Sequence, residues 1–150
     1  MKGAAWPGTR IWTPDEAAGA LALVRRIAAD LAVTYADWRD AIAAYEYAAA
    51  AASAATPSPD ADRLMGEAQR HAGEIDALRS ELARLDIRVV RLEPIVLAFR
   101  SRRSRGIEPV YWTPGPARPS YDWPEGVPTN GTAISWPSRA HDTAGKTSRA

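Results

Sequence analysis

Apolar residues recur at alternating steps of four and three through the first third of the chain. Ala17, Leu21, Val24, Ala28, Leu31, Tyr35, Trp38, Ile42, Tyr45 and Ala49 make one stripe, which Ile27 widens. That spacing places them on one face of an α-helix. Thr13-Pro14-Asp15-Glu16 supplies the start signal. Thr13 can accept from free backbone N–H groups, Pro14 suits the first helical position, and Glu16 can close a capping box. The pattern predicts a helix over 14–52. Thr56-Pro57-Ser58-Pro59-Asp60 then breaks it, predicting a turn over 53–60.

A second helix is predicted over 61–85, capped by Asp60 or Asp62. Its stripe is Leu64, Ala68, His71, Ile75, Leu78, Leu82 and Leu85. Glu67, Arg70, Glu74, Arg79, Glu81 and Arg84 occupy the other positions, as on a solvated face. A short turn between two such helices makes residues 13–86 an antiparallel hairpin. Its expected seam is Leu21, Val24, Leu31, Trp38 and Ile42 against Leu64, Ile75, Leu78, Leu82 and Leu85. The first helix is much the longer. Its excess must pair with a second copy or with the C-terminal part folded back. We expect a dimer with a four-helix bundle.

After Asp86 the period changes. Residues 87–92 and 95–99 are short and β-branched, and residues 106–112 are a further candidate strand. Ser101 to Arg105 reads as a hairpin tip, and Pro109 assigns its strand to an edge. The expected class is mainly α: an N-terminal arm over 1–12, the hairpin, a small irregular Trp-rich β unit over 87–136 packed on the helices, and a disordered tail over 137–150.

Composition sharpens this picture. Hydrophobic residues make up 46% of the 150, but 31 of them are alanine. Alanine makes helix but buries little area. The large side chains, six tryptophans among them, must therefore supply much of the core. Absence of cysteine excludes disulfides, thiolate nucleophiles and Cys-based metal sites. The start of the chain has no signal-peptide pattern, and the longest uncharged stretch, Tyr47 to Pro59, is too short to span a bilayer. A cytoplasmic protein without membrane insertion is expected. Seventeen arginines against two lysines, with the alanine, suggest a bacterial source with GC-rich codons.

The quoted residues resemble an uncharacterised bacterial family, the domain of unknown function 2203 family. Its members open with a motif of the type F-T-x-E-E-A-N-x-x-L-P-L-V-R-x-I-V-x-D-L. Here Ile11-Trp12-Thr13-Pro14-Asp15-Glu16-Ala17 and Leu23-Val24-Arg25-Arg26-Ile27-Ala28-Ala29-Asp30-Leu31 stand in those places. Trp38-Arg39 and Glu46-Tyr47-Ala48 also look like some members. Ile95 to Phe99, Gly106 to Trp112 and Trp123-Pro124-Glu125 are similar to the family's later strands and its W-H-E segment. The resemblance spans about Arg10 to Asn130. This chain departs from it where the family has Cys before Trp (Tyr111), His after Trp (Pro124) and an acid in the first strand (Ala98). The resemblance implies that any site built from those groups is altered here. It implies no activity.

Residues 87 to 105 hold six arginines and one acid, Glu93, inside a chain of net charge +1. Arg100, Arg102, Arg103 and Arg105 could bind phosphates or another anionic partner, with Trp112 and Trp123 as stacking groups. The plainer reading is a solvated turn paired with helix acids. His71 with Glu67 and Glu74 is a weak metal candidate, because the order differs from the Glu-x-x-His of bundle metal sites. A histidine on the seam, bonded to the neighbouring helix, is the reading we adopt. No catalytic, cofactor or metal residues are assigned. The sequence points to a non-enzymatic interaction or scaffold protein with a protein partner or itself as a homodimer. Nucleic-acid binding through the Arg100–Arg105 tip is the alternative, and a small-molecule or metal site near His71 ranks third.

Overall fold

The computed structural model describes residues 6, 8–53, 55–104 and 106–129. Expectations for the tail over 137–150, for Arg105 and for most of residues 1–7 lie outside the described residues. The elements run α1 (Pro14–Gly19), α2 (Leu21–Ala51), α3 (Pro59–Arg84), β1 (Ile87–Leu92), β2 (Ile95–Phe99), β3 (Arg102–Arg103), β4 (Gly106–Ile107) and β5 (Val110–Trp112). Two long helices packed on each other precede a small antiparallel sheet.

The predicted start of the first helix holds atom by atom. Thr13 Oγ1 accepts from Glu16 N–H at 3.1 Å, and Glu16 Oε1 accepts from Thr13 N–H at 3.0 Å. Both donors would otherwise be free helix-end groups. Thr13→Ala should therefore cost about 1 kcal/mol in urea unfolding; no measurable loss would show that the cap carries no stability.

The single helix expected over 14–52 is interrupted at Ala20. There the N–H is shared between the carbonyls of Glu16 and Ala17, both at 3.1 Å. The preceding Gly19, with no side chain to favour the helix, marks the weak point. The cap of α3 is also corrected. It is Ser58, whose Oγ accepts from Ala61 N–H at 3.1 Å, with Pro59 at the first helical position. Asp60 and Asp62 lie in the first turn instead, where they favour the helix dipole. The turn is pinned by reciprocal Ser53–Thr56 backbone bonds of 3.1 and 3.0 Å.

The described residues form two compact units, one of those up to 32 with 78–129, the other of Val33–Ala77. The division crosses both long helices. In the first unit Val24, Ile27, Leu31 and Leu82 are buried, as the stripe predicts, while Leu21, Leu78 and Leu85 are half-buried. They share this unit's core with Trp12, Phe99, Val110 and Trp112. The sheet order is β1-β2-β5, all antiparallel, with Leu97 opposite both Val89 and Trp112. Central β2 is buried along its whole length, whereas β1 alternates before a bulge between Val89 and Arg91. The strand expected over 106–112 is split at Glu108-Pro109 into β4 and β5. Pro109 has no N–H to donate to a ladder.

In the second unit Ala68 and Ile75 are buried as the α3 stripe predicts, but the inner line of α2 is displaced from its predicted stripe, and Ala61 and Ala72 join the core. The buried residues are Ala41, Ala61, Ala68, Ala72 and Ile75. Tyr35, Trp38, Ile42, Tyr45 and Leu64 are only half-buried. Small residues on the innermost line permit close helix approach, which leaves the large side chains at the rim.

Candidate interaction site

The junction of α3 and β1 organises the first unit. Asp86 is buried and holds φ 58°, the left-handed conformation that reverses the chain after a helix. Its carboxylate accepts from Gly8 N–H at 2.7 Å and from Arg10 N–H at 2.9 Å. A Cβ on Gly8 would lie 2.7 Å from Asp86 Oδ2, so any other residue there would force the carboxylate to shift. The docked arm continues into Trp12, whose Nε1–H donates to Leu85 O at 2.7 Å and whose ring meets Phe99 edge-on at 5.3 Å. Trp12 N–H donates to Arg100 O at 2.7 Å, and Ser101 Oγ donates to Trp12 O. Sequence reasoning missed Asp86 and Ser101. The only signal was that Asp86 stands where the period changes.

The arginine segment forms the expected tip, as a two-stranded ribbon pairing Arg102 with Ile107 and Arg103 with Gly106. Gly106 has φ 122°, which glycine adopts without strain. Arg102 and Arg103 are exposed, and Arg100 is half-buried with its Nη1 donating to Arg10 O at 3.3 Å. Arg103 lies over Tyr121 at 4.1 Å and approaches Glu108 at 3.5 Å. Tyr121 OH donates to Arg102 O at 3.0 Å. Arg10 lies over Trp12 at 3.8 Å. The structure therefore places Arg100, Arg102 and Arg103 together and adds Arg10 and Tyr121.

The two tryptophans separate. Trp112 is buried in the core, so it offers no surface for stacking. Trp123 is half-buried, meets Tyr111 at 5.2 Å, and donates from Nε1 to Val127 O at 2.8 Å. A cleft of about 370 Å³ opens beside them, lined also by Thr113, Arg118, Ser120 and Asp122. On β1, Arg88 lies over Trp6 at 3.9 Å. Burial pushes its guanidinium below the ordinary arginine value, and Tyr111 opposes that shift.

His71 makes its contact on its own helix, not across the seam: Nδ1 lies 3.3 Å from Glu74 Oε1. Glu67 turns instead to Arg63 at 2.9 Å. Among the described residues no group of three or more His, Asp or Glu is placed to hold a metal. No helix among them is long and apolar enough to cross a membrane.

No curated protein and no solved structure matches the chain. A family model described as "Uncharacterized conserved protein (DUF2203)" matches residues 10–118. The match takes in the docked arm from Arg10, both long helices and every strand, and stops before Trp123-Pro124-Glu125. The chain belongs to the DUF2203 family of uncharacterized conserved proteins.

Proposed function

We propose that this is a non-catalytic bacterial interaction protein that pairs with a second copy through residues 33–77 of its helical hairpin. One observation carries the reading: the burial in that unit is upside down for a finished core. Four of its five buried hydrophobic residues are alanines, while Tyr35, Trp38, Ile42 and Tyr45 remain half-buried. Val33 and Tyr47 are 62% and 82% exposed. A half-buried aromatic and aliphatic stripe at helical spacing is the surface another helix pair covers in a four-helix bundle. Tyr35 and Trp38 stack at 5.8 Å, so the stripe is already ordered before any partner arrives.

Light scattering over a roughly hundredfold concentration range tests this, since self-association follows mass action. The expected result is a concentration-dependent dimer. Trp38→Glu with Ile42→Glu should yield a monomer of unchanged helix content. A monomer at the highest concentration for the unsubstituted chain overturns the reading.

A further inference from the structure

We infer that the face formed by the N-terminal arm and the arginine ribbon binds single-stranded nucleic acid, with Arg10, Arg102 and Arg103 on its phosphates. Three features support this, independently of self-association.

The first is uncompensated charge. Asp86 is engaged by two backbone N–H groups, and Glu108, 3.5 Å from Arg103, is the one carboxylate paired with an arginine of this face among the described residues. Among the described residues no carboxylate pairs with Arg10, Arg100 or Arg102. Arg100 moreover keeps a buried Nε without a hydrogen-bond partner among them.

The second is preorganisation. Arg10 and Arg103 each lie over an aromatic ring, at 3.8 and 4.1 Å. A guanidinium stacked this way directs its in-plane N–H edges outward as the fork that matches phosphate oxygens. Arg10 meets no carboxylate among the described residues, and a phosphate at Arg103 would share the guanidinium with Glu108 at 3.5 Å. The rings are themselves fixed, Trp12 through Leu85 O and Tyr121 through Arg102 O. Little side-chain freedom is left to lose on binding.

The third feature selects single strands. Tyr121, under Arg103, is half-buried, and two residues further along the chain Trp123 is half-buried beside a cleft that Arg118, Asp122 and Glu125 also line. Unpaired bases present flat faces to such groups, whereas a duplex hides them. An acidic protein would satisfy the arginines but would make no use of the aromatic edge.

The test is fluorescence anisotropy of the full chain with a labelled, mixed-sequence RNA of roughly 20 nucleotides at about 50 mM salt. Each phosphate contact to a single strand contributes about −0.7 to the slope of log affinity against log salt. The paired substitution Arg102→Ala with Arg103→Ala should therefore flatten the slope by about 1.4 and weaken binding roughly 25-fold near 0.1 M salt. Arg102→Lys with Arg103→Lys, which keeps the charge but not the stacked fork, should leave the salt slope unchanged and bind between the parent and the alanine pair. Circular dichroism should show the same helix content in all three proteins. The inference fails if RNA does not bind at low salt, or if the alanine pair binds as tightly as the parent. It fails also if polyglutamate or phosphatidylserine vesicles bind at least as tightly as RNA.

Discussion

Asp86→Ala should cost about 3 kcal/mol, a large share of the stability of a domain this size. The estimate rests on two charge-assisted hydrogen bonds, to Gly8 and Arg10 N–H, made by a buried carboxylate. Alanine would also have to hold φ near 58°, where aspartate and asparagine are better tolerated. Asp86→Asn keeps that tolerance and one good acceptor, so its cost should be smaller, about 1–2 kcal/mol. Urea unfolding gives the magnitudes, and hydrogen exchange at Gly8 and Arg10 locates the effect. Faster exchange confined to the arm would show the clamp releasing before the core does. An alanine variant within about 0.5 kcal/mol of the parent would mean that water replaces the carboxylate at no cost. The arm supplies Arg10 to the arginine face, so the same substitution should loosen that face while leaving its arginines in place.

This clamp also shows where sequence reading ends. The Thr13 capping box was legible because donors and acceptors lie three residues apart. The stripe from Ala17 to Leu31 was legible because large side chains there face a large core. The same period drifts off line in residues 33–49. Alanine counts weakly in any hydrophobic pattern, yet Ala41 is the innermost residue of that stretch. Close helix approach favours the small residue, and the pattern favours the large one. Pro109 gave its warning correctly, since β5, which starts just after it, is an edge strand, and it also divides the expected strand in two. Asp86 was beyond reach because its partners lie 76 and 78 residues away. The arginine tip could be read as a tip, because β3 and β4 are local. Its aromatic supports could not, because Tyr121 and Trp12 reach it from distant segments.

Trp12 and Trp112 should respond alike to alanine and unequally to phenylalanine. Both are buried, at 4% and 1% exposure, so either Ala variant should cost about 3–5 kcal/mol through lost burial and an unfilled cavity. Phenylalanine removes the indole N–H with a smaller loss of volume. At Trp12 that N–H donates to Leu85 O at 2.7 Å, next to the Asp86 turn. Losing it leaves a part-buried carbonyl unpaired, which costs about 1–3 kcal/mol. At Trp112 the buried Nε1 has no hydrogen-bond partner among the described residues. There the parent already bears the desolvation cost of an unpaired donor, and phenylalanine relieves it. The relief is of the same order as the cavity cost, so Trp112→Phe should leave stability within about 1 kcal/mol of the parent. Arg25, over the Trp112 ring at 5.3 Å, can keep its position over phenylalanine, because its Nη2 is held by Gly115 O at 3.1 Å. Urea unfolding of the two phenylalanine variants side by side decides the matter. Equal losses would mean that indole volume alone sets the cost at both positions. A larger loss at Trp112 would require a hydrogen-bond partner for its Nε1, and a buried water is the candidate that fits such a group.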